Sequence, residues 1–182
     1  MMKSTITKRT YQAIYRLLNY RTPLSGDCGR LCNAVCCMSD DENMGIYLLP
    51  GEEKVFTKEE DWIHWSYDYA EDYDFPPSWS GKVYFIRCKS APLCPREKRP
   101  LQCRFFPLAP HIFEDGRLGL VWFSAELPYS CPLVENRMEL EPKFVKAVYT
   151  VWKRLIQDPL IYDLVLQDSV DRTPEEIEIV YL

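Results

Sequence analysis

The chain has 182 residues, of which 47% are hydrophobic and 27% charged, and its formal net charge is −5. This balance is typical of a globular protein and excludes a disordered tail. The negative charge argues against an extended nucleic-acid surface, so we expect no nucleic-acid partner. The unusual feature is eight cysteines against two histidines.

The cellular compartment decides how the cysteines are interpreted. The N-terminal segment has no apolar core followed by a small-residue cleavage site, so it does not resemble a signal peptide. The longest apolar stretch, residues 118–123, has the length of a strand and not the ~20 residues of a membrane helix. We therefore expect a cytoplasmic protein with no membrane partner. Thiols are kept reduced there, which favours metal binding or redox chemistry over structural disulfides.

The N-terminal half predicts one helix and two strands. Apolar residues recur at helical spacing over residues 5–20, where Thr5 or Thr7 can cap the start. Residues 44–49 predict a short strand that ends at a Pro-Gly turn, and residues 82–88 predict a second strand.

An acidic and aromatic segment lies between these strands. Residues 59–74 contain seven carboxylates and no Lys or Arg, interleaved with Trp and Tyr. The pattern fits a surface for a divalent cation or a basic partner, or else an irregular solvated segment whose rings anchor it on the core. We favour the irregular segment. The alternative is a protein-interaction module over residues 59–79 that loses its partner when Trp62 or Trp65 is replaced.

The middle of the C-terminal half predicts a loop and a hairpin. Residues 88–104 are rich in proline and basic residues, which is typical of a loop. Asp115-Gly116 is a turn signal between residues 111–114 and 118–124, so these two stretches predict a β-hairpin.

Helices dominate the C-terminal region. A continuous apolar face predicts a helix over residues 142–157. After a break at Asp158-Pro159, residues 160–166 predict further helical turns. The tail at residues 177–182 forms either a strand or a loose end.

The cysteines fall into two clusters and one isolated position. The first cluster has the spacing C-x3-C-x3-C-C, and the second has the spacing C-x5-C-x8-C. All eight are candidate metal ligands: Cys28, Cys32, Cys36, Cys37, Cys88, Cys94, Cys103 and Cys131.

Helix geometry limits how the first cluster can bind one ion. In a continuous helix Cys28 and Cys36 would lie ~12 Å apart, because each residue adds ~1.5 Å along the axis. Thiolates that share one zinc must lie within ~4 Å of each other. Either the segment starts as a loop, which Gly26 and Gly29 permit, or the cysteines divide between sites. The side chains of Cys36 and Cys37 are expected to point in different directions in a helix or a strand. This favours a division of roles over binding of one ion by both.

The cysteines differ in strength as candidates. Cys32 and Cys131 are the two most readily explained as small buried apolar side chains. The strongest ligand candidates are Cys28, Cys36 or Cys37, Cys94 and Cys103, followed by Cys88.

A strongly basic segment accompanies the second cluster. From Lys82 to Arg104 there are seven basic residues and one acid, Glu97. Cations beside a centre of four thiolates stabilise its negative charge and lower thiol pKa values. Arg99 and, in preference, Arg104 are candidates to donate to a ligand sulfur or a carbonyl. The alternative interpretation is an anion pocket for phosphate or carboxylate.

The sequence contains no other recognisable catalytic arrangement. It has neither a P-loop nor a GxGxxG motif. His64 lies between two tryptophans and His111 at a predicted strand start, so we expect both to pack rather than bind metal. Whether the protein is an enzyme stays open.

The cysteine pattern resembles that of the YkgJ-type cysteine-cluster proteins, a family of zinc- or iron-chelating domains. The resemblance covers about residues 28–107, and its most specific part is Arg99-Pro-x2-Cys103-Arg-Phe-Phe-Pro. Cys131 matches a downstream cysteine that many members carry. The resemblance implies metal binding by the cysteines without settling a reaction. A related cluster occurs in flagellin lysine N-methylases.

We therefore expect an α+β protein, a single domain over residues 1–182. A small antiparallel sheet would be flanked by the N- and C-terminal helices, and a cysteine-ligated metal centre would organise a loop-rich region. The metal-binding core spans about residues 26–131 and the C-terminal helical region about 138–170.

Zinc is the expected metal, and iron or a [4Fe–4S] cluster is the alternative, because the same thiolates ligate all three. The functional alternative is a redox or S-adenosylmethionine-dependent enzyme related to the flagellin lysine N-methylases. The sequence identifies no protein partner.

Overall fold

The computed structural model describes residues 3–37, 46–57, 60–89 and 94–182. Within these ranges the helices are α1 (Lys8–Leu18), α2 (Leu101–Phe105), α3 (Pro132–Glu135), α4 (Pro142–Leu155) and α5 (Pro159–Asp171). The strands are β1 (Ile46–Tyr47), β2 (Ile63–Tyr69), β3 (Lys82–Cys88), β4 (Leu108–Ile112), β5 (Leu118–Trp122) and β6 (Ile179–Tyr181).

The first sheet is antiparallel and has the strand order β1-β3-β2. β2 and β3 pair over seven residues, from Ile63 opposite Cys88 to Tyr69 opposite Lys82. Both strands are rich in aromatic and β-branched residues, which suit a pleated, half-buried surface. β3 confirms the strand predicted at residues 82–88, and its last residue is the first cysteine of the second cluster.

β2 corrects the prediction of an irregular segment at residues 59–74. It is an edge strand on which only Ile63 is fully buried, so its sequence lacks the apolar alternation that marks a half-buried strand. Pairing with β3 supplies the order that the local pattern does not show. Glu59 lies outside the described residues, as do Met44 and Gly45 of the strand predicted at 44–49.

The second sheet is antiparallel with the order β4-β5-β6. β4 and β5 form the predicted hairpin, and Gly116 in its turn has a φ of 79°, a left-handed value that glycine adopts readily. β4 starts at Leu108, three residues before the predicted strand. The tail joins the sheet as β6, so the strand alternative is confirmed.

The predicted helices are present, and their caps follow simple chemistry. Thr7 precedes α1, and its side chain accepts the N–H of Thr10. α4 starts at Pro142, a favourable first helical residue. Asp158 caps α5 by accepting the N–H groups of Leu160 and Ile161, and α5 runs further than predicted.

One hydrophobic core joins the two sheets and the helices. α1 packs on α4, α4 packs on the second sheet, and α5 packs on β4. The expectation of α+β architecture is therefore confirmed, but with two small sheets where one was predicted. None of the helices in the described ranges has the length and apolar character needed to cross a membrane.

Candidate metal centre

The first cysteine cluster folds as two 3₁₀ turns, Cys28–Leu31 and Val35–Cys37. Between them Asn33 and Ala34 have φ values of 52° and 55°, a left-handed bend that no continuous helix contains. The N–H of Ala34 donates to the carbonyl of Gly29 at 2.8 Å, which closes the bend. The segment is therefore looped, as the helix-length argument requires if distant cysteines are to meet.

The bend brings the last two cysteines of this cluster onto one side. The sulfurs of Cys36 and Cys37 lie 3.9 Å apart. The expectation that these side chains point in different directions is therefore wrong, because the 3₁₀ turn replaces the helix or strand on which it depended.

The second cluster reaches the same region from three places. Cys88 ends β3, Cys94 is buried in the segment that follows, and Cys103 lies on α2. α2 corrects the prediction that residues 88–104 are a loop throughout. Its five residues are too few to show helical periodicity in the sequence.

The two clusters face a common cavity of about 230 Å³, here called the cysteine cavity. The cysteines on its wall are Cys28, Cys36, Cys37, Cys88, Cys94 and Cys103. The wall thus holds the stronger ligand candidates, with both Cys36 and Cys37 where one of the two was predicted. All eight cysteines are free thiols.

A second cavity of about 440 Å³, the adjoining cavity, shares part of this wall. Cys32 and Cys131 line it without lining the first. Cys131 is buried, as expected of a small apolar side chain, whereas Cys32 is half-buried. The adjoining cavity also contains Cys28, Cys36 and Cys37.

The spacing of the sulfurs bears on what the cysteine cavity can hold. The Cys36–Cys37 separation is close to the ~4 Å expected for two thiolates on one zinc. However, in the described part of the chain no three His, Cys, Asp or Glu side chains are grouped closely enough to hold one metal ion. The thiols of the described residues line the wall of the cavity and are not gathered at one position within it. As a donor set, clustered thiolates suit zinc and iron–sulfur clusters.

Arginines supply the positive side of the cysteine cavity. Arg99 Nε donates to Cys94 Sγ at 3.2 Å. Arg104 instead donates to the carbonyls of Tyr15, Arg96 and Arg99, at 3.2, 2.8 and 2.7 Å. Both candidates therefore act as donors, but the bond to sulfur is made by Arg99 and not by the preferred Arg104, which holds the surrounding backbone in place.

In two hydrogen-bonded thiol pairs, Cys36–Cys37 and Cys88–Cys94, the two thiols have different pKa values. The hydrogen bond from Cys88 and the adjacent Arg99 lower the pKa of Cys94 to about 6, against the opposing effect of burial. The hydrogen bond from Cys36 lowers the pKa of Cys37 to about 7. In the donor partners, Cys36 and Cys88, hydrogen bonding and burial raise the pKa. In each pair, therefore, one thiol ionises more readily than its partner.

Cys103 lines the cysteine cavity and is exposed there. Desolvation by nearby protein atoms and the negative charge of Cys37 and Cys94 raise the pKa of its thiol. A metal cation would have to displace this proton, as thiolate ligation requires.

The two histidines lie away from both cavities. His111 is buried in β4, with Nδ1 3.5 Å from Arg172 Nη1, as expected of a packing residue. His64 is exposed on β2, so the expectation that it packs in the core is wrong. The alternation of β2 turns its side chain to the solvent.

Sequence reasoning missed several residues of the site. Tyr129 and Phe106 line both cavities, and Phe123 lines the cysteine cavity with its ring centroid 5.6 Å from that of Phe106. Phe106 lies inside the Arg99–Pro107 motif, and Tyr129 lies two residues before Cys131, so proximity to the cysteines is the signal that could have found them.

Comparison with protein-family models, with curated proteins and with solved structures found no match for this chain.

Proposed function

We propose that this protein binds zinc or iron through the clustered cysteines, and that it is a YkgJ-type cysteine-cluster protein. The observation that carries the proposal is the convergence of six cysteines, from segments far apart in the chain, on one cavity. A single free cysteine is a common core residue, but six facing one space are poorly explained by packing alone.

Bound metal would join parts of the chain that have few other links. The bend at residues 28–37 is held largely by its own backbone hydrogen bonds, and its side chains are half-buried or exposed. Ligation by these cysteines together with Cys94 and Cys103 would fix the bend against the segment that follows β3 and against α2. In this form the metal stabilises the fold, and no open coordination position is needed.

An iron–sulfur cluster is the second candidate. The six cysteines around one cavity exceed the four thiolates that bind one zinc, which favours an object larger than one ion. Such a cluster would supply redox chemistry or, by analogy with flagellin lysine N-methylases, S-adenosylmethionine-dependent chemistry. The role of the protein chain is then to supply thiolates and the hydrogen bond from Arg99 to Cys94.

The experiment is anaerobic purification followed by metal and sulfide analysis and a visible spectrum of one sample. A colourless protein with about one zinc per chain supports the stabilising role. Iron and sulfide in similar amounts, with broad visible absorption, support the cluster. A protein with neither metal, and with eight titratable thiols, contradicts the proposal.

The interaction surface remains a separate candidate, with different residues from those expected. Trp62 is buried and donates to Glu60, so replacing it would test the core rather than docking. The exposed rings are Tyr67, Tyr69 and Tyr73, each nearly half exposed beside the carboxylates of this segment. Loss of a basic partner on replacing Tyr67 or Tyr69 by Ser, with metal content unchanged, would support an interaction module.

A further inference from the structure

The adjoining cavity combines two arginine side chains with a largely nonpolar wall. Its volume of about 440 Å³ falls in the usual range for small-molecule pockets, roughly 300–1,000 Å³. Arg30 and Arg99 lie on its wall together with Asp27.

Arg99 has hydrogen-bonding capacity that the protein does not use. Its Nε is committed to Cys94, which lies in the cysteine cavity only. Its two terminal amino groups donate to no group in the described residues, although the side chain is half-buried. A guanidinium with both amino groups available matches the two oxygens of a carboxylate.

Two further donors have no partner in the part of the chain that the structure describes. These are the guanidinium of Arg30 and the hydroxyl of Tyr129. Tyr129 is half-buried, and its phenol hydroxyl can donate a hydrogen bond. Asp27, by contrast, uses one carboxylate oxygen to accept the N–H of Gly29 at 3.1 Å.

The remainder of the wall is largely nonpolar. Leu31, Val35, Phe106 and Leu133 contribute to it. A dianion would lose far more solvation in such surroundings than a monoanion does. A monoanion with a nonpolar body matches both halves of the wall.

We propose that the adjoining cavity binds a small monocarboxylate with a nonpolar body, whose carboxylate pairs with Arg99 and Tyr129 beside the cysteine cavity. The inference deepens the proposed function, on which it rests, by naming the ligand class of the same site. Arg99 then serves both cavities, through Nε to Cys94 and through its amino groups to the ligand.

Benzoate is the probe, and benzamide is its neutral counterpart of nearly equal shape. Calorimetric titration of the protein as purified is expected to show saturable benzoate binding, and at least about tenfold weaker benzamide binding, because a charge-assisted hydrogen bond contributes ~1.5–3 kcal/mol. Arg99→Gln is expected to weaken benzoate binding by about tenfold or more. Tyr129→Phe, which leaves Cys94 untouched, is expected to weaken it by a smaller factor.

Arg9→Gln removes the same charge from the exposed face of α1 and serves as the matched control, with unchanged binding expected. Equal binding of benzamide and benzoate, or unchanged benzoate binding in both site variants, would overturn the inference. Metal analysis of each sample separates the two proposals. Bound metal without benzoate binding contradicts this inference alone, and benzoate binding without metal contradicts the metal centre alone.

Discussion

Glu52 accepts the backbone N–H of Leu101 at 2.9 Å and thereby caps α2 from a distant part of the chain. Pro100, which precedes α2, supplies no side-chain cap of its own. Glu52 is fully buried and also accepts the hydroxyl of Tyr15 at 2.6 Å and the N–H of Leu49 at 3.0 Å. One buried carboxyl therefore joins α1, the chain after β1 and the helix that carries Cys103.

Replacing Glu52 by Gln is expected to destabilise the protein by about 1–3 kcal/mol. An amide group would turn N–H donors towards groups that themselves donate, which leaves buried donors unpaired. The free energy of unfolding in urea measures the effect. Glu53→Gln is the control, since its side chain is only half-buried, and an equal loss in both variants would remove the special role of Glu52.

Serine substitutions divide the cysteines by the cavity they face. Cys94→Ser and Cys103→Ser are expected to lose most of the bound metal and to lower the melting temperature, because a neutral hydroxyl is a poor ligand for these metals. Cys32→Ser is expected to keep its bound metal, because Cys32 lines only the adjoining cavity. Elemental analysis measures the outcome. Full metal content in Cys103→Ser would contradict the assignment.

The bend of the first cluster depends on a close approach between Gly29 and Ala34. A Cβ added at Gly29 would lie 3.2 Å from the Cβ of Ala34, so Gly29→Ala is expected to lower both metal content and melting temperature. Ala34→Gly removes the opposing methyl group and suits the left-handed φ of that residue. The double variant should therefore recover part of the loss. A double variant as impaired as Gly29→Ala would refute the steric explanation.

His111 makes stability depend on pH. Burial and then the positive charge of Arg172 lower its pKa in the folded protein, so the unfolded chain binds the proton more tightly. The contribution to stability is complete above the unfolded pKa of about 6.5 and is lost as the pH falls through that value towards the folded pKa. One proton limits the slope to about 1.4 kcal/mol per pH unit.

Unfolding free energies between neutral and mildly acid pH test this linkage. His111→Gln is expected to flatten the curve below pH ~6.5. An identical curve for wild type and His111→Gln would show that another group is responsible.

The sequence predicted those elements whose pattern is local. α1, α4, the hairpin and β3 each carry their own periodicity or turn signal, as Asp115-Gly116 does. β2 was missed because an edge strand with a mostly exposed face owes its order to β3. α2 was missed because a five-residue helix capped by Glu52, 49 positions earlier, depends on a contact that only the fold creates.

The candidate site divides in the same way. Cysteine spacing led to the prediction that the two clusters belong to one site. For the first cluster, helix length left a looped start and a division between sites as alternatives, and the structure shows the loop. The spacing did not predict that Cys36 and Cys37 face one side, because this follows from the left-handed bend at Asn33 and Ala34. It also favoured Arg104 over Arg99, since adjacency in sequence does not determine which guanidinium reaches a sulfur.

The most direct test of the central claim is metal and sulfide analysis of anaerobically purified wild-type protein and of Cys94→Ser. The account predicts stoichiometric zinc, or iron with sulfide, in the wild type, and a loss of most of that metal in the variant. A wild-type protein that is folded, carries neither metal and takes up neither on reconstitution would contradict it.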